Sequence, residues 1–219
     1  VGIAVTALIF IVLRLKSLIL KDGQKLKITI LTSMRLTLGL ILMLAGNEKL
    51  TGIPDIIGPN YLVSELEQYG LGLYGNFIAF SQFVIGFILL TNRLGVLGEI
   101  MALPMFANIF IITISLNWRG TPLEVGYLLT LNVFLILSNW HKVKFIIAEE
   151  DAGLKKILVS RSNIKLDMVY LLLFLVMISG LFLSYFNLNL SKTIIKIGLV
   201  VMFFAFIFGN KLKRLGTLK

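Results

Sequence analysis

Apolar runs alternate with short polar stretches along the whole chain, at about residues 1–20, 28–46, 73–90, 94–116, 122–138, 168–186 and 193–210. A helix needs about 20 apolar residues to cross a bilayer. The pattern therefore predicts an all-α bundle of about seven transmembrane helices. The first run is apolar for thirteen residues before Arg14 and Lys16. It reads as a truncated span or an interfacial helix, and the first is favoured because residues missing before Val1 would extend its apolar end. No small-residue cleavage site follows it, so a cleavable signal peptide is not expected.

The polar stretches set the connections. Pro54 and Pro59, with Gly52 and Gly58, argue against one continuous helix over 47–72. A short interfacial helix is expected over 61–69. Only Thr91, Asn92 and Arg93 separate the third and fourth runs, which predicts an antiparallel hairpin. Pro104 is expected to kink the fourth helix near Ile100, and Pro122 sits where a helix start tolerates it. The long polar stretch 139–165 is expected to include an amphipathic surface helix. The domain reading follows: 1–27 an N-terminal span and basic link, 28–140 a four-helix core, 141–165 a cytoplasmic loop, and 166–219 two C-terminal spans and a basic tail.

Composition strengthens the membrane reading, since 58% of the 219 residues are hydrophobic, 15% are charged and mean hydropathy is +0.94. The net charge of +10 does not point to nucleic acid, because the basic residues sit in the gaps between apolar runs. Sixteen of the 21 Lys and Arg fall in 14–27, at Arg93, in 141–165 and in 211–219. The alternate loops hold only Lys49, Arg119, Lys192 and Lys196. Positive loops stay inside. The N-terminus is therefore expected outside and the C-terminus in the cytoplasm, and the expected location is a bacterial cytoplasmic (inner) membrane. With no cysteine and one histidine, the chain has no disulfide, thiol relay, iron–sulfur cluster, thiolate metal site or multi-histidine site of its own. No metal site is expected.

Arg35 and Glu99 each lie in an apolar run, about 10 Å and 9 Å from the same expected edge at 1.5 Å per residue. Intramembrane charges need partners, so the two are expected to pair. That pair fixes helix packing in one reading, and in the other Glu99 relays protons or meets a head group. Glu48, Lys49, Arg119 and Glu124 are expected to form a polar rim at the outer end, chiefly exposed ion pairs. Gly39 and Gly46 in one helix, and Gly75, Ala79, Gln82 and Gly86 in the next, offer small faces for close packing. Glu124 and Asn132 are expected on one face of the fifth run. Asn108 and Asn132 can bond between helices, and His141 beside Trp140 reads as an interfacial anchor. No catalytic triad, phosphate loop or dinucleotide fingerprint is present.

One group of residues carries a family resemblance. Arg35, then Gly39-Leu40, then Gly46 and Lys49 is followed by Gln82-Phe-Val-Ile-Gly-Phe-Ile-Leu-Leu-Thr-Asn-Arg93, Pro104-Met-Phe-Ala-Asn108 and Pro122-Leu-Glu124. Over about 28–140 the chain resembles the DoxX family of four-helix membrane proteins. The resemblance implies association with quinone-linked redox enzymes. It makes the chain an accessory subunit of a respiratory complex, in contact with the bilayer and other membrane subunits. A quinone is the one cofactor it implies, with a head group expected near Arg35, Glu99 and Gln82. The residues alone leave two other readings open: a scaffold or assembly subunit with no ligand, and a small-molecule or lipid carrier.

Overall fold

The computed structural model describes residues 23–51, 61–92, 94–147 and 164–183, with scattered positions from 186 to 205. Among them there is no strand. The continuously described helices are, in order, α1 Gly23–Thr51, α2 Leu62–Glu67, α3 Gly72–Thr91, α4 Gly95–Ser115, α5 Thr121–Ser138, α6 Trp140–Ile147 and α7 Ile164–Leu183. The expected first span and most of the 141–165 loop lie outside the described residues.

Among the described residues, four segments are long and apolar enough to cross a membrane: Leu26–Thr51, Gly72–Thr91, Gly95–Ser115 and Thr121–Ser138. The protein is a multi-pass helical membrane protein. Phe77, Ile111, Tyr127 and Leu137 are exposed on these helices, as lipid-facing side chains must be.

Helix α1 is longer than the apolar pattern predicts. Asn47, Glu48 and Lys49 do not close it. The helix continues to Thr51 because Asn47 and Glu48 turn inward and are buried, while Thr51 Oγ1 donates to the Asn47 carbonyl. At its other end α1 takes in Lys25 and Lys27, expected in a link. Helix α2 falls inside the predicted 61–69 segment and buries Leu62 and Leu66. Tyr61, just before it, packs its ring against Trp118 in the α4–α5 connection, with centroids 4.8 Å apart and the planes tilted by 55°.

The chain divides into two compact units, Val1–Lys144 and Phe145–Lys219. In the first, α1, α3, α4 and α5 alternate in direction. Gly39 and Gly46 lie against Gly86 and Ala79 respectively, Gly98 against Leu89, and Gly126 against Phe110, so each pair runs antiparallel. Leu38, Leu42, Ile78, Leu89, Phe106 and Leu135 form the centre of its core. Asn92, left-handed at φ 52°, ends α3. Gly120, at φ 89°, turns the chain into α5, with Pro122 in its first turn. Helix α4 continues through Pro104. In the second unit, Gly180 on α7 meets Ile194, and Gly198 meets the Met177 side chain.

Candidate functional site

The charged centre is a four-residue polar knot at one end of the bundle. Arg35 Nε donates to Glu99 Oε1 at 2.7 Å, and Nη2 lies 2.6 Å from the same oxygen. Nη1 donates to Asn92 Oδ1. Asn139 Nδ2 lies 3.2 Å from each Glu99 oxygen and 3.0 Å from the Leu135 carbonyl. Glu99 is fully buried and Arg35 is 8% exposed. An isolated charge so placed is very costly, and here the opposite charge and charge-assisted hydrogen bonds offset that cost.

Local structure aims each member. Asn92 reaches Arg35 from the left-handed position that closes α3, which asparagine tolerates better than most residues. Asn139 joins α5 to α6. Its N–H donates to the Leu135 and Ile136 carbonyls, and its own carbonyl accepts from the N–H groups of Lys142 and Val143. Gly95 leaves room for the guanidinium, since a β-carbon there would sit 2.7 Å from Arg35 Cζ. One level farther along, Asn132 Nδ2 donates to the Glu99 carbonyl at 3.0 Å, so the backbone of the acid is also held from α5. The knot therefore joins α1, α3, α4 and the α5–α6 junction.

Arg35 and Glu99 meet at one level of the bundle, as their expected depths imply. Arg35 lies twelve residues into α1 and Glu99 four residues into α4, so α1 extends farther than α4 past the level at which they meet. They meet because both are on the inward sides of helices that run in the same direction.

Gln82 does not join them. A β-carbon on Gly46 would lie 3.1 Å from Gln82 Cβ, and Gly46 is eleven residues beyond Arg35, roughly 16 Å along the helix. The expected Arg35, Glu99 and Gln82 face is thus two places. The small-residue face of α3 also divides. Ala79 and Gly86 face α1, while Gly75 lies 3.1 Å, measured from its would-be β-carbon, from the Val63 backbone in α2. At the α1–α3 crossing a β-carbon on Gly46 would be 2.5 Å from the Ala79 carbonyl, and one on Gly86 would strike the Met43 backbone N–H.

The expected outer rim is heterogeneous. Glu48 is buried and Lys49 half-buried, with Lys49 Nζ donating to the Ala45 carbonyl at 3.3 Å. Arg119 and Glu124 are exposed, and no ion pair links them to another described residue. Glu124 and Asn132, eight residues apart on α5, differ in burial: Asn132 is buried and Glu124 is exposed. Asn108 accepts a 2.7 Å hydrogen bond from the Tyr74 hydroxyl, joining α3 to α4. His141 is exposed at the start of α6.

Among the described residues, three buried amide oxygens have no hydrogen-bond partner: Asn47 Oδ1, Gln82 Oε1 and Asn132 Oδ1. Each such group costs about 1–3 kcal/mol if left unmatched. Asn92 and Asn139 are the site residues that sequence reasoning missed. Their signal was position, since each immediately follows a helix at the end where Glu99 lies. No group of three or more potential metal ligands occurs among the described residues. Compared with known proteins, the chain matches no family model, no curated protein and no solved structure.

Proposed function

We propose that this chain is a non-catalytic accessory subunit that acts as a structural scaffold for a membrane complex. The observation that carries this reading is the closure of the knot. All three guanidinium nitrogens of Arg35 and both carboxylate oxygens of Glu99 are matched by protein groups. Intramembrane charges used in transport or catalysis face a pathway or a ligand. These two face each other and two asparagines, which supports a role in holding four segments in register.

The full topology in this reading is seven spans, with the N-terminus outside and the C-terminus in the cytoplasm of a bacterial inner membrane. It rests on the distribution of basic residues. The residues that resemble DoxX support a quinone-linked redox complex as the assembly served. The redox chemistry then belongs to a partner, because this chain has neither thiol nor multi-histidine ligation of its own. Isolation from native membranes in mild detergent, with identification of bound proteins and quantification of extracted quinone, tests the proposal. The scaffold reading expects a stoichiometric protein partner and no stoichiometric quinone on the isolated chain. Stoichiometric quinone on a chain without protein partners would overturn it.

A further inference from the structure

The knot accounts for the polar groups at one end of the bundle and leaves those farther along α1 unexplained. Asn47 is 8% exposed and Gln82 is 5% exposed, and the amide oxygen of each has no hydrogen-bond partner. They belong to one level of the α1–α3 crossing. Gly46, the residue before Asn47, packs against Gln82 Cβ, and consecutive α-carbons are 3.8 Å apart. Glycine at 46 brings the two backbones close, so both amides are drawn out of lipid. Both oxygens are buried, so bulk water does not reach them.

The chemistry of the unmatched atoms selects the guest. Both are carbonyl oxygens, which only accept hydrogen bonds. A group that only accepts, such as a ketone, leaves them unmatched, whereas an O–H group satisfies them. We propose that Asn47 and Gln82 form a binding site for a hydroxyl-bearing guest that donates to these two oxygens. Two sources share this chemistry. One is an internal water, which buried polar groups commonly recruit. The other is a pair of hydroxyls on one amphiphile entering from the bilayer, because a single hydroxyl has one proton and serves one oxygen. The site stands apart from the scaffold reading, which rests on Arg35 and Glu99.

A thermal double-mutant cycle on the purified full chain tests the proposal, using Gln82→Met and Asn47→Leu. If a guest bridges the oxygens, each single substitution loses it and lowers Tm by roughly 2–4 °C. The double variant then falls by clearly less than the sum. Coupling that survives delipidation assigns the guest as water. Coupling lost on delipidation and restored by added monoacylglycerol assigns an amphiphile. Additive effects, or a Tm that rises when either amide is made apolar, would overturn the proposal. If the variants do not fold, a wild-type density map that resolves water decides the case. A feature within hydrogen-bonding distance of both oxygens supports the site, and a direct amide–amide hydrogen bond or an empty gap refutes it.

Discussion

Asn139 Nδ2 lies 3.2 Å from both carboxylate oxygens of Glu99, so a neutral donor at the end of α5 holds a fully buried acid on α4. Asn139→Leu removes that donor and leaves Glu99 Oε2 facing an apolar side chain in place of a hydrogen-bond donor. A hydrogen bond to a charged group contributes about 1.5–3 kcal/mol, and a loss of that size is expected. Asn139→Asp should be worse, because it sets a second carboxylate against the first. Thermal unfolding of the two variants in one detergent checks both the loss and its order.

The glycine crossing makes a separate prediction. A β-carbon on Gly46 would lie 2.5 Å from the Ala79 carbonyl and 2.6 Å from the Phe83 nitrogen, both backbone atoms that cannot swing aside. Gly46→Ala should therefore cost about 1–3 kcal/mol by overpacking. Gly23→Ala, at a position with nothing within 4 Å, serves as the control and should be near neutral. Equal stability of the two variants would count against the close α1–α3 approach.

Tyr74 and Asn108 give the opposite expectation. Their 2.7 Å hydrogen bond is on the exposed side of α3 and α4. Interhelical hydrogen bonds in membranes average about 0.6 kcal/mol. Tyr74→Phe should then shift Tm only slightly, well under the Asn139→Leu effect in the same assay.

Orientation can be read directly, since the chain has no native cysteine. Single cysteines at Ser64, Thr121, Ser160 and Thr217 should divide into two classes with an impermeant thiol reagent applied to intact cells. The first two are expected to label and the last two to be spared. Labelling at Ser160 would contradict the proposed topology.

The sequence made the spans legible because hydrophobic length is a local property. The runs at 73–90, 94–116 and 122–138 agree with α3, α4 and α5 to within one or two residues. The end of α1 was not legible, because Asn47 and Glu48 look like a polar stop until tertiary packing buries them. The Arg35–Glu99 contact was legible from the cost of intramembrane charge. Its surroundings were not. Asn92 and Asn139 acquire their role from the left-handed end of α3 and the α5–α6 junction, which place amides that resemble ordinary turn residues. Gln82 was misplaced for the converse reason: a helical face says which side a residue takes, but the level at which it meets a neighbour depends on where the glycines cross.

The most direct measurement of the central claim is a double-mutant cycle on Arg35 and Glu99. If the two charges satisfy each other inside the bundle, Arg35→Leu and Glu99→Leu should each lower unfolding stability by about 3–5 kcal/mol, because each leaves an unpaired buried charge. The double variant should be more stable than the sum of the two losses allows, by well over 1 kcal/mol of coupling. Losses that simply add would show that each charge answers to something other than its partner, and the scaffold account would be contradicted.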